Sequence, residues 1–419
     1  RQSVPFCGTS AWTDSYNKSS SLFVSFRPDA PPRMPAKARN VAVLGATGSI
    51  GCSALDVIRA SGGTLRAFGL SAHRRLEQLE QQAAECGPRW VIATDSAAEA
   101  AHTWQLPAGC DPLSGEAGLL RLATDPEVDV VLTAIVGAAG LESTLAALEA
   151  GKTIALANKE TMVVAGRIVT DVAGSRGACI VPVDSEHSAL FQALMAGRRG
   201  ELRRVVLTAS GGPFRELNRD ELARVTVEEE LAHPTWNMGP KITIDSAPLM
   251  NKALEIIEAR WLFNLEADQI DVVIHPQSIV HSFVEFIDGS IVAQLGLPDM
   301  RLPIQYALTY PHRTEAVAEP LDWRRAFRLD FEPPDFDRFD ALRLGLEAAR
   351  VGGTAGAVLN GANEAAVAGF VAGELEFCEI VPLCRRVLEH HDFEPNPSLA
   401  RLRELDGWAR QEVERWVCT

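Results

Sequence analysis

At 419 residues the chain is too long for a single hydrophobic core, and it predicts two or three domains. With 47% hydrophobic and 23% charged residues it has the balance of a globular protein rather than of a disordered or fibrous one. Its formal net charge of −15 argues against nucleic acid or an anionic membrane surface as partner, so an anionic substrate must be held by a local group of donors.

The eight cysteines form no CxxC pair and no disulfide-like spacing, which predicts a reducing compartment with thiols used as small core residues. A cytoplasmic chain is expected. No apolar run reaches the length of a membrane-spanning helix. Residues 1–33 are Ser- and Pro-rich, lack periodicity and precede Met34. They are expected to be a disordered or over-called extension, with a Ser-rich organelle transit segment as the alternative. A segment 1–37 is therefore set apart from the folded chain.

From residue 40 onwards, apolar strand-like runs alternate with helical stretches, the pattern of a parallel α/β sheet. Residues 40–45 (NVAVLG) predict a buried strand followed by a helix through 53–60. Further strands are predicted at 65–71, 90–94, 128–136, 153–157 and 179–183, which makes six strands in a doubly wound, Rossmann-like unit over 38–183. A helix at 141–150 stops at Gly151, a C-terminal cap. Beyond residue 184 the pattern changes. Runs 279–287 and 290–296 are joined by Asp288-Gly289, a two-residue hairpin signal, so 184–310 predicts an α+β unit with a mixed or antiparallel sheet. Residues 311–334 are Pro- and charge-rich and predict a connector. The rest, 335–419, predicts a helical domain with helices at 340–350, 363–372, 380–390 and 398–417. In the last of these Leu399, Leu402, Leu405, Trp408, Val413 and Trp416 form one apolar stripe, expected to face the core.

Gly45–Gly51 (GATGSIG) lies directly between a predicted strand and helix. Glycines there permit a tight turn and let backbone N–H groups approach a pyrophosphate at the helix N-terminus; a plain βα turn is the competing reading. An NAD site places Asp or Glu at the end of the second strand, to bond the ribose 2′-hydroxyl. Here that strand ends in Ser71-Ala72-His73-Arg74-Arg75, which favours the 2′-phosphate of NADP over a solvated basic helix start.

Val181–His187 (VPVDSEH) closes the last parallel strand, and ligands of such sheets gather at the carboxyl ends of strands. On an extended backbone Asp184 and Glu186 would point to one side. They would then share a proton or bind a hard cation such as Mg²⁺ or Mn²⁺; equally, they could be a helix N-cap and its acidic first turn. If 248–261 is helical, Asn251 and Glu255 lie on one face, and Glu255 could complete a three-carboxylate site. Ser246, Asn251 and Lys252 would supply phosphate donors. Thr208–Pro213 (TASGGP) is a small-residue loop able to present a hydroxyl and backbone N–H groups to an anion. His233–Pro240 (HPTWNMGP) has the composition of a loop that covers a site.

These stretches, with ALANKE at 155–160, HPQSIVHSFVEF at 275–286, LGLPDMRLPI at 295–304 and NGANEAAVAGF at 360–370, resemble the 1-deoxy-D-xylulose 5-phosphate reductoisomerase family in the family's own order. The resemblance implies a divalent cation (Mg²⁺ or Mn²⁺, with Co²⁺ as a further candidate) on Asp184, Glu186 and Glu255. It implies Ser185 and Lys159 beside the substrate's hydroxyl and carbonyl oxygens, so that Lys159, Asp184, Glu186 and Glu255 form the catalytic set. The phosphate pocket corresponds to Ser210, Ser246, Asn251 and Lys252 with His233 nearby, and the lid to Trp236 and Met238. NADPH contacts fall on Thr47, Gly48, Ser49, Ile50, Ala72, His73, Arg74, Asn158 and Met300. At His73 the chain departs from the family, many of whose members have Asn or Lys there. The resemblance further implies a homodimer, a small sugar-phosphate substrate, and no nucleic-acid or membrane partner.

Other oxidoreductase classes fit less well. None of Tyr16, Tyr306 and Tyr310 has a lysine four residues on, as a short-chain reductase needs. The cysteines sit in apolar settings unsuited to a nucleophile. A non-catalytic NADP sensor would not need three carboxylates and a phosphate cluster.

Overall fold

The computed structural model describes residues 37–215, 217, 219–222, 225–226 and 249–417. Strands β1 (Arg39–Leu44), β2 (Leu65–Ala72), β3 (Trp90–Ala93), β4 (Asp111–Ser114), β5 (Val130–Thr133), β6 (Thr153–Leu156) and β7 (Ile180–Pro182) form one parallel sheet in the order β4-β3-β2-β1-β5-β6-β7. Its crossovers carry α1 (Ser49–Ala60), α2 (Leu76–Cys86), α3 (Ser96–Ala101), α4 (Gly115–Thr124), α5 (Leu141–Glu149) and α6 (Lys159–Arg176). The strand β1 shows why the sheet is buried on both sides: Val41 and Val43 join one apolar cluster, Ala42 and Leu44 the other. The chain winds outward from β1 to β4 and then crosses to β5, leaving a crevice at the carboxyl ends of β1 and β5.

The sheet has seven strands where the sequence predicts six. The extra one, β4, reads Asp-Pro-Leu-Ser and is mostly exposed at the sheet edge. An edge strand needs neither an apolar run nor every N–H, so Pro112 is tolerated and the usual signal is missing.

A second group of elements follows: α7 (Ser185–Ala193), β8 (Leu202–Ala209), α8 (Arg219–Leu222), α9 (Met250–Leu262), β9 (Ile270–Ile274), β10 (Val280–Phe286), β11 (Ile291–Leu295) and α10 (Arg301–Thr309). The sheet order is β11-β10-β8-β9, antiparallel except for the parallel pair β8–β9, so it is mixed as expected. The Asp288-Gly289 turn closes the hairpin, with Gly289 at φ +84° and Asp288 Oδ1 accepting the Ser290 N–H at 2.9 Å. Helix α10 returns to the parallel sheet. Ile304, Ala307 and Leu308 share the apolar cluster of Val41 and Val130, and Arg39 Nη1 donates to the carbonyls of Leu308 (3.0 Å) and Tyr310 (2.8 Å).

The segment 311–334 is stitched to the second sheet. Ile274 and Glu332 exchange backbone hydrogen bonds of 2.9 and 3.0 Å, and His275 Nδ1 meets the Asp330 carbonyl at 2.8 Å. Helices α11 (Ala341–Val351), α12 (Ala355–Val371), α13 (Ile380–His390) and α14 (Leu399–Val417) complete the described chain. Helix α12 begins eight residues before the predicted 363, because Ala355–Ala362 is buried all round and shows no amphipathic period. In α14 the residues Leu402, Leu405 and Val413 are buried, as the stripe predicts. Trp416, however, is 44% exposed and lies under Arg386, whose guanidinium carbon is 4.6 Å from the ring centroid. At the helix end the stripe has run past the core.

Helices α6, α9, α11 and α12 approach closely because small residues line their crossings. A Cβ on Gly345 would stand 2.6 Å from Ala253 Cα, and one on Gly356 would overlap the Val163 carbonyl oxygen. That packing holds the N-terminal ends of α6 and α9 side by side. Both carry polar site residues.

Candidate active site

Residues Asp184 to Glu186 do not continue the strand. Asp184 is the N-cap residue of α7 and Glu186 lies in its first turn, the alternative left open by the sequence. The Asp184 carboxylate nevertheless makes no capping bond. It accepts from Lys159 Nζ at 2.5 Å, and the same ammonium donates to Asn251 Oδ1 at 2.9 Å and Glu255 Oε1 at 3.3 Å. Lys252 Nζ donates to Glu186 Oε1 at 2.7 Å and also to Glu255 Oε2. Ser185 Oγ donates to Glu186 Oε2 at 2.5 Å, and Asn251 Nδ2 to Glu255 Oε1 at 2.5 Å. The three carboxylates therefore converge through two shared lysines, brought in by the starts of α6, α7 and α9. Asn251 and Glu255 face the same way along α9, one turn apart. Lys159, Lys252 and Glu255 are buried.

Burial this deep is sustainable only because the charges are paired. The loss of hydration opposes the charge on Lys159, yet Asp184 and Glu255 outweigh it and hold the ammonium well above its ordinary value. Burial likewise opposes Asp184 and Glu186, but Lys159 and Lys252 keep these two carboxyls below the usual range. Glu255 is the exception: burial, and then Glu186, push it up to about 7. Glu255 rises because negative charge is buried and crowded there, and a hard divalent cation would relieve that crowding and keep all three carboxyls ionised as ligands.

The cofactor end is equally specific. The turn after β1 places Gly45 at φ +90°, and no side chain caps α1 behind Gly48. The helix N-terminus thus keeps its N–H groups for an anion. Ser71 clamps the turn to the end of β2, its Oγ accepting from the Gly45 N–H at 3.0 Å and its carbonyl from the Ala46 N–H at 2.7 Å. Thr47, within the turn, is buried, Ser49 opens α1, and Ile50 and Met300 border the same apolar cluster on that face of the sheet. Ala72 ends β2, and His73 and Arg74 follow it. Across the crevice Asn158 caps α6, accepting the Thr161 N–H at 2.9 Å, while its Nδ2 donates to the Gly137 carbonyl at 2.9 Å.

Models of the family's domains match most of this chain: "1-deoxy-D-xylulose 5-phosphate reductoisomerase" over 41–166, its C-terminal domain over 180–263, and a further "DXP reductoisomerase C-terminal domain" over 295–412. The enzyme of that name from Anaeromyxobacter dehalogenans is 51% identical over 379 residues, 90% of this chain and 97% of its own. The chain belongs to the 1-deoxy-D-xylulose 5-phosphate reductoisomerase family. The Symbiobacterium thermophilum member is 52% identical over 377 residues, 89% of this chain and 97% of its own. Among solved structures, a reductoisomerase in complex with NADPH, fosmidomycin and magnesium superposes with a TM-score of 0.83 at 40% identity, covering 91% of this chain and 98% of that one. The Zymomonas mobilis enzyme in complex with NADPH gives 0.83 at 40% identity, over 91% and 99%.

Two expected site residues arrive in a place that the sequence does not indicate. Asn251 and Lys252, expected at the substrate phosphate, sit inside the carboxylate cluster. Ser210 lies at the end of β8, where its Oγ accepts from the Gly212 N–H at 3.3 Å. His233, Trp236, Met238 and Ser246 lie outside the described residues.

The sequence also overlooks a pair behind the cluster. His187, fully buried, has Nε2 2.9 Å from the Glu255 carbonyl oxygen and Nδ1 3.4 Å from Glu258 Oε2. Asp184, His187 and Glu255 can bring one donor atom each within 4.8 Å of one another. Facing a carbonyl, however, His187 Nε2 must carry hydrogen, and Nδ1 faces Glu258. The imidazole therefore braces α7 against α9, and Glu186 is the better third oxygen donor. The clue in the sequence is Glu258 itself, one turn beyond Glu255.

A pH dependence follows. Glu255 and Glu258 both rise from 4.5 to about 7, each through burial first. The folded chain then binds protons that the unfolded chain releases. The stabilisation is complete below pH 4.5 and is lost as pH rises through about 7. Chelated protein is expected to melt at lower temperature at about pH 8 than at about pH 5, and excess Mg²⁺, which prefers the ionised cluster, should stabilise increasingly as pH rises. Scanning calorimetry at fixed ionic strength checks this; a melting temperature that rises with pH in chelator contradicts it.

Proposed function

We propose that the chain converts 1-deoxy-D-xylulose 5-phosphate into 2-C-methyl-D-erythritol 4-phosphate, a step of isoprenoid precursor biosynthesis, with NADPH and a divalent cation (Mg²⁺, Mn²⁺ or Co²⁺). The supporting observation is the convergence of Asp184, Glu186 and Glu255 around Lys159 and Lys252, beside a nucleotide crevice, in a chain of this family. The carbon skeleton first rearranges to a branched aldehyde, and a hydride and a proton then reduce it to the alcohol. When bound, the cation supplies Lewis acidity at the substrate's carbonyl and hydroxyl oxygens, and NADPH supplies the hydride.

The protein's own groups do the remainder. Asp184, Glu186 and Glu255 hold the cation, and Ser185 and Lys159 lie against the reacting oxygens. The buried, firmly charged Lys159 ammonium favours negative charge developing there and is not a base at neutral pH. Ser210 and Ser246, with His233, anchor the phosphate, and Asn251 and Lys252 turn to it from the carboxylate cluster once a cation satisfies the carboxylates. Binding energy from an unreactive group thus fixes the geometry of the reactive one. Trp236 and Met238 close over the site and exclude water. The chain divides into a nucleotide domain to 183, a catalytic domain to 310, a connector to 334 and a helical domain. It is a cytoplasmic homodimer; support for the dimer comes from the edge position of β11 beside Ile287 and Ile291, 66% and 62% exposed. Among the described residues, no helix is long and apolar enough to cross a membrane.

The test is NADPH absorbance on addition of 1-deoxy-D-xylulose 5-phosphate, with Mg²⁺ or Mn²⁺ and then with excess chelator. Cation-dependent loss of absorbance is expected. No loss from a folded protein that binds NADPH rules out this substrate.

A further inference from the structure

The basic pair after β2 does not stand alone. Arg74 is largely exposed, yet its Nε donates to Asp95 Oδ2 at 2.7 Å. His73 presents Nε2 to the same oxygen at 3.5 Å, and its Nδ1 meets Thr94 Oγ1 at 3.0 Å. Asp95 is fixed from behind, because it is the N-cap residue of α3 and its Oδ1 accepts the Ala98 N–H at 2.8 Å. Its side chain is only 12% exposed. The Ala98 N–H and then Arg74 hold the carboxyl down at about 2, so it stays charged at any working pH.

We infer that Asp95 is a positioning residue for dinucleotide choice: it anchors Arg74 through Nε and steadies His73, so that the free edge of the guanidinium meets the cofactor's 2′-phosphate. An NAD site carries its acid at the end of the second strand, with oxygens open to the ribose hydroxyl. Here the acid stands at the end of the third strand, and both oxygens are committed, one to the helix cap and the other to the arginine. A negative charge near a phosphate would ordinarily weaken binding. Spent on an arginine, it removes that side chain's rotational freedom, and the planar fork still offers its Nη donors. This rests on the reading that Arg74 and His73 face the 2′-phosphate.

The experiment separates the two. NADPH and NADH are titrated against the whole protein by nicotinamide fluorescence, without substrate, and both are then compared in turnover. Asn and Ser cap helices as well as Asp does, so Asp95→Asn removes the charge, and Asp95→Ser the reach to Arg74, without uncapping α3. The dissociation constant for NADPH should rise about threefold in Asp95→Asn and about tenfold in Asp95→Ser, with NADH unchanged, because a charge-assisted bond is about twice as strong as a neutral one. In a background that lacks both basic side chains, His73→Ala with Arg74→Ala, Asp95→Ser should weaken NADPH binding no further. Equal weakening of both dinucleotides, or tighter NADPH binding, would overturn the inference. If Arg74→Ala itself leaves the NADPH-to-NADH ratio unchanged, the 2′-phosphate reading has failed and the role of Asp95 fails with it.

Discussion

Glu255→Gln is expected to lower kcat by about a thousandfold or more while leaving NADPH affinity within about twofold, because cation and charge stabilisation are lost together at a site remote from the nucleotide turn. Among the described residues, Glu255 is the one carboxylate to which both lysines donate. An amide in its place keeps the volume but removes the charge, and it sets an NH₂ group against at least one ammonium. Asp184 and Glu186 would each keep a lysine and lose the common centre. The effect should therefore appear as a weakened dissociation constant for Mn²⁺ as well as a lost turnover, with an unchanged fold by circular dichroism. Tight Mn²⁺ and full activity in this variant would remove Glu255 from the site.

The second large effect is expected at Gly51→Ala. A Cβ there would overlap the Gly45 carbonyl oxygen and stand 2.5 Å from Ala46 Cα. Those are backbone atoms of the phosphate turn, pinned to β2 by Ser71, so no side chain can swing aside. Either α1 retreats or the turn lifts, and each moves the N–H groups meant for the pyrophosphate. NADPH affinity should fall by about a hundredfold, since two or more charge-assisted bonds are disturbed together. Mn²⁺ binding at the carboxylate cluster should be unaffected. Isothermal titration of both ligands decides it, and an unaltered NADPH affinity would show that the turn can give way.

The alternation of apolar runs and glycine-rich turns made the nucleotide sheet legible, because buried parallel strands must be apolar on both faces. Where that rule relaxes, the signal disappears, as at β4 with its edge position and at α12, which is buried all round. Asp184 and Glu186 were legible at the end of a predicted strand and Glu255 on one face of a predicted helix, and the motifs around them carried the family. What remained hidden was partnership. Nothing in the spacing of Lys159, Asp184 and Lys252 says that Glu255 lies between two ammonium groups. Nor does sequence spacing join Asp95 to Arg74, or His187 to Glu258, since those contacts depend on how strands and helices are laid side by side.

Asn158 and Lys159 are neighbours in the chain, yet they serve opposite halves of the active site: the amide bonds to Gly137 across the nucleotide crevice, and the ammonium to Asp184 in the carboxylate cluster. A single peptide bond, at the rigid start of an eighteen-residue helix, is all that separates them. With so short a link there is no slack between the two chemistries. An arrangement that lets the skeleton rearrange already has the reducing side set, so the aldehyde has little time to escape. It also means that the two steps cannot be divided between two smaller proteins by cutting this chain between its sheets.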